Sequence, residues 1–411
     1  MVSVARFSAV LVIVLGLSMT LPGLFIKATS VKVRPPGIYY SPLLERFVMQ
    51  QGKQHRDEYG NILSAREFRR SLPFLYRADL VKWGEFPSRV GRVKVDPSIA
   101  ARELQFVRIS PRDINAPKFE MYMMLESSPE GAHLEYPSDM FLLKDGIEFY
   151  GCADNSLDKA KSELFTAAML ESGFVFPARI AGGNPDARKP FDWGYFLLDS
   201  TNTLFHLMMV KGQPLCVNTG KQFQAPVRHI TVVEHPRKEF YAVVVTATNM
   251  FLISCDDYEL IDLPLLDYNP DVDSVMLLAT LTHRVVQQRT QNQVLLTALD
   301  GNWDPVSQFG QMIDLSPLAM RERLAALLFP FELESTSRFS KFKPFHFKVV
   351  SSHPMWTLSG IFLCLVTYWL FVRKRFRGNP TVWELAILSV MGVYGLIALV
   401  AVGRVKPLCR T

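Results

Sequence analysis

The sequence predicts a membrane-anchored, mainly-β protein: an extramembrane domain that is propeller-like or simply antiparallel β with a few helices, plus three transmembrane helices. Three observations predict it. Long apolar runs stand at the start and end of the 411-residue chain. Apolar–turn–apolar segments recur between them. And a composition 49% hydrophobic but only 20% charged is too apolar for an ordinary soluble protein unless the surplus is concentrated in such runs.

The runs come first. Residues 7–26 carry no charge, and residues 356–372 and 382–402 carry only Glu384. A helix crosses the hydrocarbon layer in about 20 residues, so each run is near the required length. Trp356, Tyr368, Trp369 and Trp383 stand near the ends of the two C-terminal runs, where amphipathic rings prefer the interface. The resulting division is an N-terminal anchor (1–26), a mainly-β domain (27–354), a two-helix hairpin (355–402) and a short basic tail (403–411). Glu384, two residues into the last run, is expected to snorkel to the interface and pair with Arg377.

The formal charge of +6 is local to the membrane end. From Met355 onward there are seven Lys or Arg against one Glu, and Arg6 adds another positive, leaving residues 27–354 with 37 basic and 38 acidic side chains. A neutral domain has no electrostatic footprint for a phosphate backbone, which argues against nucleic acid as a partner. Four positives (Arg373, Lys374, Arg375, Arg377) crowd the nine-residue loop between the last two runs. Short basic loops are retained in the cytoplasm, so the large domain is expected outside it, in a multi-pass protein of the cell inner membrane. Lys27, Lys32, Arg34, Arg338, Lys341, Lys343 and Lys348, on the domain side, pull the other way. The hairpin loop decides, because long domains translocate largely regardless of charge. The first run lacks a convincing cleavage site and reads as a retained anchor.

Within the domain, Ser64 and Glu67 form a capping box opening a short helix that Pro73 interrupts. A second helical run, residues 75–83, ends at Gly84. Residues 157–172 read as an amphipathic helix capped by Asn155 or Ser156 and stopped at Gly173. Residues 318–329 read as another, with Ser316 as N-cap and Pro317 first inside. Between these last two helices the texture is strand. Residues 196–207, 243–253 and 286–296 each place a polar turn between two apolar runs, at intervals of 46 and 43 residues. Repeats of that length built from short strands suit propeller blades, and also meanders.

The search for chemistry yields no site. There is no phosphate loop, nucleophile elbow, zinc-protease or dinucleotide motif. No residue is assigned a catalytic, cofactor-binding or metal role, and no cofactor is expected. The eight histidines are scattered; His229 and His235 are the closest pair, on expected turns. Asp267, Asn269, Asp271 and Asp273 alternate like the start of a calcium loop, but Val272 and Leu278 occupy the positions that need Gly and Glu. They read as a polar turn. Asp256, Asp257 and Glu234 read as solvated turn carboxylates. Cys152, Cys216 and Cys255 leave one disulfide open without choosing it, while Cys364 lies in a run and Cys409 in the tail.

Several segments resemble one bacterial membrane-protein family. They are Ser71-Leu-Pro-Phe-Leu-Tyr76 with Leu80-Val-Lys-Trp-Gly84, the stretch 110–117, Gly194-Tyr-Phe-Leu-Leu-Asp-Ser200, and the stretch 206–214. The family is known only as a domain of unknown function, number 4857, with one N-terminal and two C-terminal spans. The resemblance carries no functional residues. It implies a genomic neighbourhood of ABC-transporter ATPases, and hence a transport-associated role with permease or ATPase subunits as partners. Two functions follow: a non-enzymatic, membrane-anchored accessory with an extracytoplasmic ligand- or protein-binding domain, or an extracytoplasmic hydrolase or lyase whose residues converge only in the fold. A transmembrane sensor is disfavoured by a cytoplasmic segment of only nine residues, too short for an output domain.

Overall fold

The computed structural model describes residues 2–29, 36–116, 119–334, 346–349, 353–376 and 378–403. Lys32, Arg34, Pro117, Arg338, Lys341, Lys343, Arg377 and Cys409 lie outside them. The chain divides into two compact units: Pro35–Met312, and Met1–Arg34 together with Ile313–Thr411.

The first unit is built of antiparallel sheets, most of them meanders of consecutive strands. Sheet 1 (residues 37–63) and sheets 3 (180–222) and 4 (227–262) have four strands each, and sheet 2 (139–158) has three. Sheet 5 (274–312) has four consecutive strands, with Gln105–Ile109 added beside Ser274–Ala279. The three apolar–turn–apolar segments are the hairpins Tyr195–Leu198/Thr203–Val210, Phe240–Thr246/Met250–Ser254 and Arg284–Arg289/Gln293–Leu299.

Sheets 2 to 5 succeed one another in a row, and strand alternation explains why their inner strands are apolar on both sides. Tyr195 and Leu197 face a core shared with Phe141 and Phe149 of sheet 2 and with Phe165 and Met169 of the helix Lys159–Glu171. Their neighbours Phe196 and Leu198 face the opposite core, with Ala242, Val244 and Ile253 of sheet 4. Val243 and Val245 then face away again, toward Val275, Leu277 and Val286 of sheet 5. Sheet 1 touches sheet 5 where the rings of Phe47 and Phe309 lie 5.7 Å apart. Among the described residues neither a closed barrel nor a closed propeller is seen.

The capping box of Ser64 and Glu67 forms as expected, opening Ala65–Ser71. Arg77–Trp83 ends on Gly84 in the left-handed conformation. Two helix starts differ from expectation. Asp158, not Asn155 or Ser156, caps Lys159–Glu171, because residues 157–158 first pair with Phe149 and Tyr150 at the edge of sheet 2. The helix Ser316–Leu328 begins one residue early: Asp314 accepts from the Ser316 amide at 3.0 Å, drawing Ser316 inside. The short helices Pro97–Glu103 and Pro111–Asn115 carry too little periodicity to be read from sequence.

The second unit holds three helices long and apolar enough to cross a membrane: Val4–Ala28 (part of the helix Val2–Ala28), Pro354–Phe376 and Val382–Val402. They share a core in which Val10 and Val14 meet Tyr368, Val372, Leu388 and Tyr394, together with Phe329 and Phe331. Glu384 is enclosed by protein, and its expected partner Arg377 lies outside the described residues. The Glu384 side chain is wholly buried, Arg6 donates to it at 2.8 Å, and its second oxygen accepts from the Thr381 amide at 2.9 Å. The Arg6 guanidinium also lies 4.9 Å above the Trp383 ring. Because each partner sits in the first turns of its helix, the first and last helices start side by side. The last helix breaks at Gly392 (φ 51°, ψ −128°), where an added Cβ would come within 3.2 Å of the Pro330 ring.

Candidate functional site

A cleft of about 290 Å³ opens in the β unit where sheets 2, 3 and 4 approach one another. Its floor is the strand Ile180–Gly183. Gly182 lies so close to sheet 4 that a Cβ would sit 2.6 Å from the Ile230 carbonyl, and a Cβ on Gly183 would strike the Tyr195 ring. Any side chain at these positions would push the sheets apart or fill the cleft. One wall is the segment bearing Met121, Tyr122 and Met123. It is held by a reciprocal backbone pair: Tyr122 N donates to Phe141 O at 2.9 Å, and Phe141 N donates to Tyr122 O at 2.8 Å. Met140 continues that wall, and His229 lies on the sheet 4 side.

Tyr195 joins the cleft to the polar interior. Its hydroxyl donates to the Met123 carbonyl at 2.8 Å, and its ring packs edge-on against Tyr122 at 5.7 Å. Burial first, then the negative charge of Asp192, raises its pKa beyond the ordinary phenol range.

Nearby lies a buried ion cluster. Lys189 donates to Asp192 and Glu234, each at 2.6 Å, and to the Asn184 carbonyl at 2.5 Å; the three charged side chains are 5%, 3% and 0% exposed. The remaining carboxylate oxygens are also engaged. Asp192 accepts from Ser127 Oγ (2.7 Å) and the Gly194 amide (2.8 Å), and Glu234 from Asn184 Nδ2 (2.9 Å). With one cation and two carboxylates, the cluster carries a net −1. Glu234, expected to be a solvated turn carboxylate, is instead the most buried member. Its partner lies 45 residues away, on the loop joining two strands of sheet 3.

His206 is buried a few residues off. Its Nε2 lies 2.5 Å from the Trp193 carbonyl, which can only accept, so Nε2 carries the proton and Nδ1 accepts from the Tyr258 hydroxyl at 2.9 Å. Burial holds its pKa down to about 4, and that of buried His283 to about 3. Both imidazoles are neutral in the folded protein at neutral pH.

The sequence assigned no catalytic, cofactor-binding or metal residue. Among the described residues no group of three or more His, Cys, Asp or Glu is placed to hold a metal. His229 lies on a strand, not a turn, bonded to Thr231 Oγ1 at 2.6 Å, while His235 accepts from the Arg237 amide. The calcium-like stretch is a turn whose oxygens face protein donors: Asp273 accepts from Asn269 and Gln288, and Asp271 from Arg228 and Asn115. Cys152, Cys216, Cys255 and Cys364 are free thiols. The cleft went unread in the sequence; the one local signal that could have pointed to it is the Met-Tyr-Met alternation at 121–123.

Stacked antiparallel meanders with a side cleft, joined in sequence to three helices long and apolar enough to cross a membrane, define a mainly-β protein. The chain belongs to the family described as Domain of unknown function (DUF4857), whose model matches residues 37–299. Among curated proteins none matches. Dihydro-heme d1 dehydrogenase NirN in complex with DHE is similar with a TM-score of 0.22 and 12% identity, over 56% of this chain and 57% of that one. The likeness thus spans just over half of the NirN chain. A Bacteroides fragilis NCTC 9343 protein described as exported is similar with a TM-score of 0.12 and 10% identity, over 58% of this chain and 84% of that one. Neither likeness bears on what this chain does.

Proposed function

We propose that the protein is a membrane-anchored, non-enzymatic binding component, its β unit outside the cytoplasm, working with an ABC-type transport system in the cell inner membrane. The observation that carries the binding role is the cleft: a concave, mostly apolar site with a few converging polar groups, held open by glycines and backed by a fully bonded charge cluster. Three features support the rest. The basic residues Arg373, Lys374 and Arg375 close the second candidate span. Arg6 pairs with Glu384, so positive charge gathers at the same end of the helices. The resemblance to the family implies the transporter neighbourhood. We read the row of meander sheets as a propeller-like arrangement.

The transport association is tested on the helical unit. Removing the hairpin outright would strip Arg6 and the shared core, so the informative change is on the outward face. Leu358 and Phe362 are more than 60% exposed, with Val366 beside them on the same helix. Changing all three to Ala keeps the helix apolar while erasing the packing face. The variant is expected to remain in the membrane but to lose the permease and ATPase subunits that co-purify with the wild type in mild detergent. A wild type that runs alone would sink the association and reopen the enzyme reading. Reporter fusions at Pro305 and Gly378 test the orientation; a periplasm-active reporter working only at Gly378 would invert it.

A further inference from the structure

We infer that the cleft binds a soft monovalent metal ion, copper(I) by chemistry, through the thioethers of Met121, Met123 and Met140. The inference rests on reading the β unit as a binding module and names its ligand. It starts from backbone register. Tyr122 and Phe141 exchange both of their hydrogen bonds, so they are a hydrogen-bonded antiparallel pair. The bridge is isolated, and Met123 and Met140 are the residues that flank it on the two segments, with Met121 two residues from Met123. All three line one cleft.

Their exposure separates them from the methionines that pack the interior. Met124 and Met169 are wholly buried in the core between sheets 2 and 3, whereas Met121 is 43% exposed and Met123 and Met140 are half-buried at the cleft. A thioether is uncharged, carries no proton at any ordinary pH, and is soft, so it selects copper(I) over the hard or borderline divalent ions. With three flexible bonds in each side chain, three sulfurs lining one cleft can converge on a single ion. A neutral ligand set leaves the ion's positive charge in place. The net −1 of the Lys189–Asp192–Glu234 cluster, whose field reaches Tyr195 in the cleft wall, favours that charge. The sequence shows the Met-Tyr-Met alternation but not Met140, which the strand pairing supplies.

The test uses the full-length protein in detergent with its methionine methyl groups labelled with carbon-13, titrated with silver(I) as the redox-inert stand-in for copper(I). Three methyl resonances should shift together and saturate at one equivalent, with no response to zinc(II). Anaerobic competition with a copper(I) chelator should give the same stoichiometry. The isosteric triple variant M121L/M123L/M140L should keep its melting temperature and lose at least 100-fold in silver affinity. Absence of saturable silver binding, or equal affinity in the triple variant, would overturn the assignment. A wild type that ignores silver but binds an apolar fluorescent probe displaced by cleft substitutions would show an apolar-ligand site instead. That outcome leaves the binding-component reading intact, whereas loss of co-purifying partners fails that reading separately.

Discussion

Each unit of this protein buries an ion pair, and the two pairs are built differently. In the β unit, Lys189 sits between Asp192 and Glu234 where two inter-strand loops meet, and Ser127, Asn184 and a backbone amide satisfy the spare oxygens. In the helical unit, Arg6 and Glu384 stand in the first turns of two helices, where the carboxylate also caps its own helix and an indole face covers the guanidinium. Carboxylates as enclosed as those of Asp192 and Glu234, on short side chains, have no ready route back to water when their partner is lost. A long side chain in a first helical turn can still extend toward the interface. The cost of breaking each pair should therefore differ, although both are buried.

The largest effect is expected at the Lys189 cluster. Lys189→Met leaves two buried carboxylates facing each other and should cost about 3–5 kcal/mol at neutral pH. That loss is read as a drop in melting temperature or as failure to accumulate, and it should lessen on acidification as one carboxyl takes up a proton. Milder protonation of the wild type comes next. His206 and His283 are held neutral, with folded pKa values of about 4 and about 3 against 6.5 unfolded. The unfolded chain therefore binds more protons between those limits. Their contribution is complete above pH 6.5 and is lost as the pH falls toward 4 and then 3, by roughly 3 kcal/mol or more for each histidine. Denaturant midpoints should fall over this window, and His206→Gln should flatten the upper part of the curve; a profile unchanged by that substitution would mean another group dominates.

In the helical unit, Glu384→Gln should cost less, about 1–3 kcal/mol, because Arg6 retains the Trp383 face and can reach outward. The reversal R6E/E384R tests the pair itself. If it restores co-migration of the two helices in a disulfide-trapping assay that each single change weakens, the attraction is what holds the helix starts together. Smallest is the exposed pair Lys144–Glu148: Lys144→Ala should leave the denaturant midpoint unchanged within measurement error, which sets the baseline for the buried clusters.

The same contrast explains what could be read from the sequence. The hairpins were legible because an apolar run, a polar turn and a second apolar run are local, and the strands Tyr195–Leu198 and Phe240–Thr246 are apolar on both faces. The stacking of sheets was not, since alternation says that a strand has two buried faces and not which neighbour covers them. Glu234 looked like an ordinary turn residue because its partner is 45 positions earlier, in another loop. Glu384 looked tied to the nearby basic loop because proximity in sequence favoured Arg377. Arg377 lies outside the described residues, and a partner that no local pattern announces, Arg6, is 378 residues away. Met123 and Met140 line one cleft beside a bridge that no periodicity announces. What local pattern conveys is element type; what it omits is every pairing that closes a charge cluster or a cleft.

The 378-residue separation of Arg6 and Glu384 also sets a schedule. At ordinary rates of about 5–20 residues per second, the ribosome makes Arg6 roughly 20 to 75 seconds before it makes Glu384. Throughout that interval the first helix exists with a cation and no counter-charge, while the whole β unit is synthesised and begins to fold. The helical core, and every contact that Val10 and Val14 make in it, can close only after the final helix emerges. The Arg6–Glu384 contact is therefore among the last that synthesis allows to form.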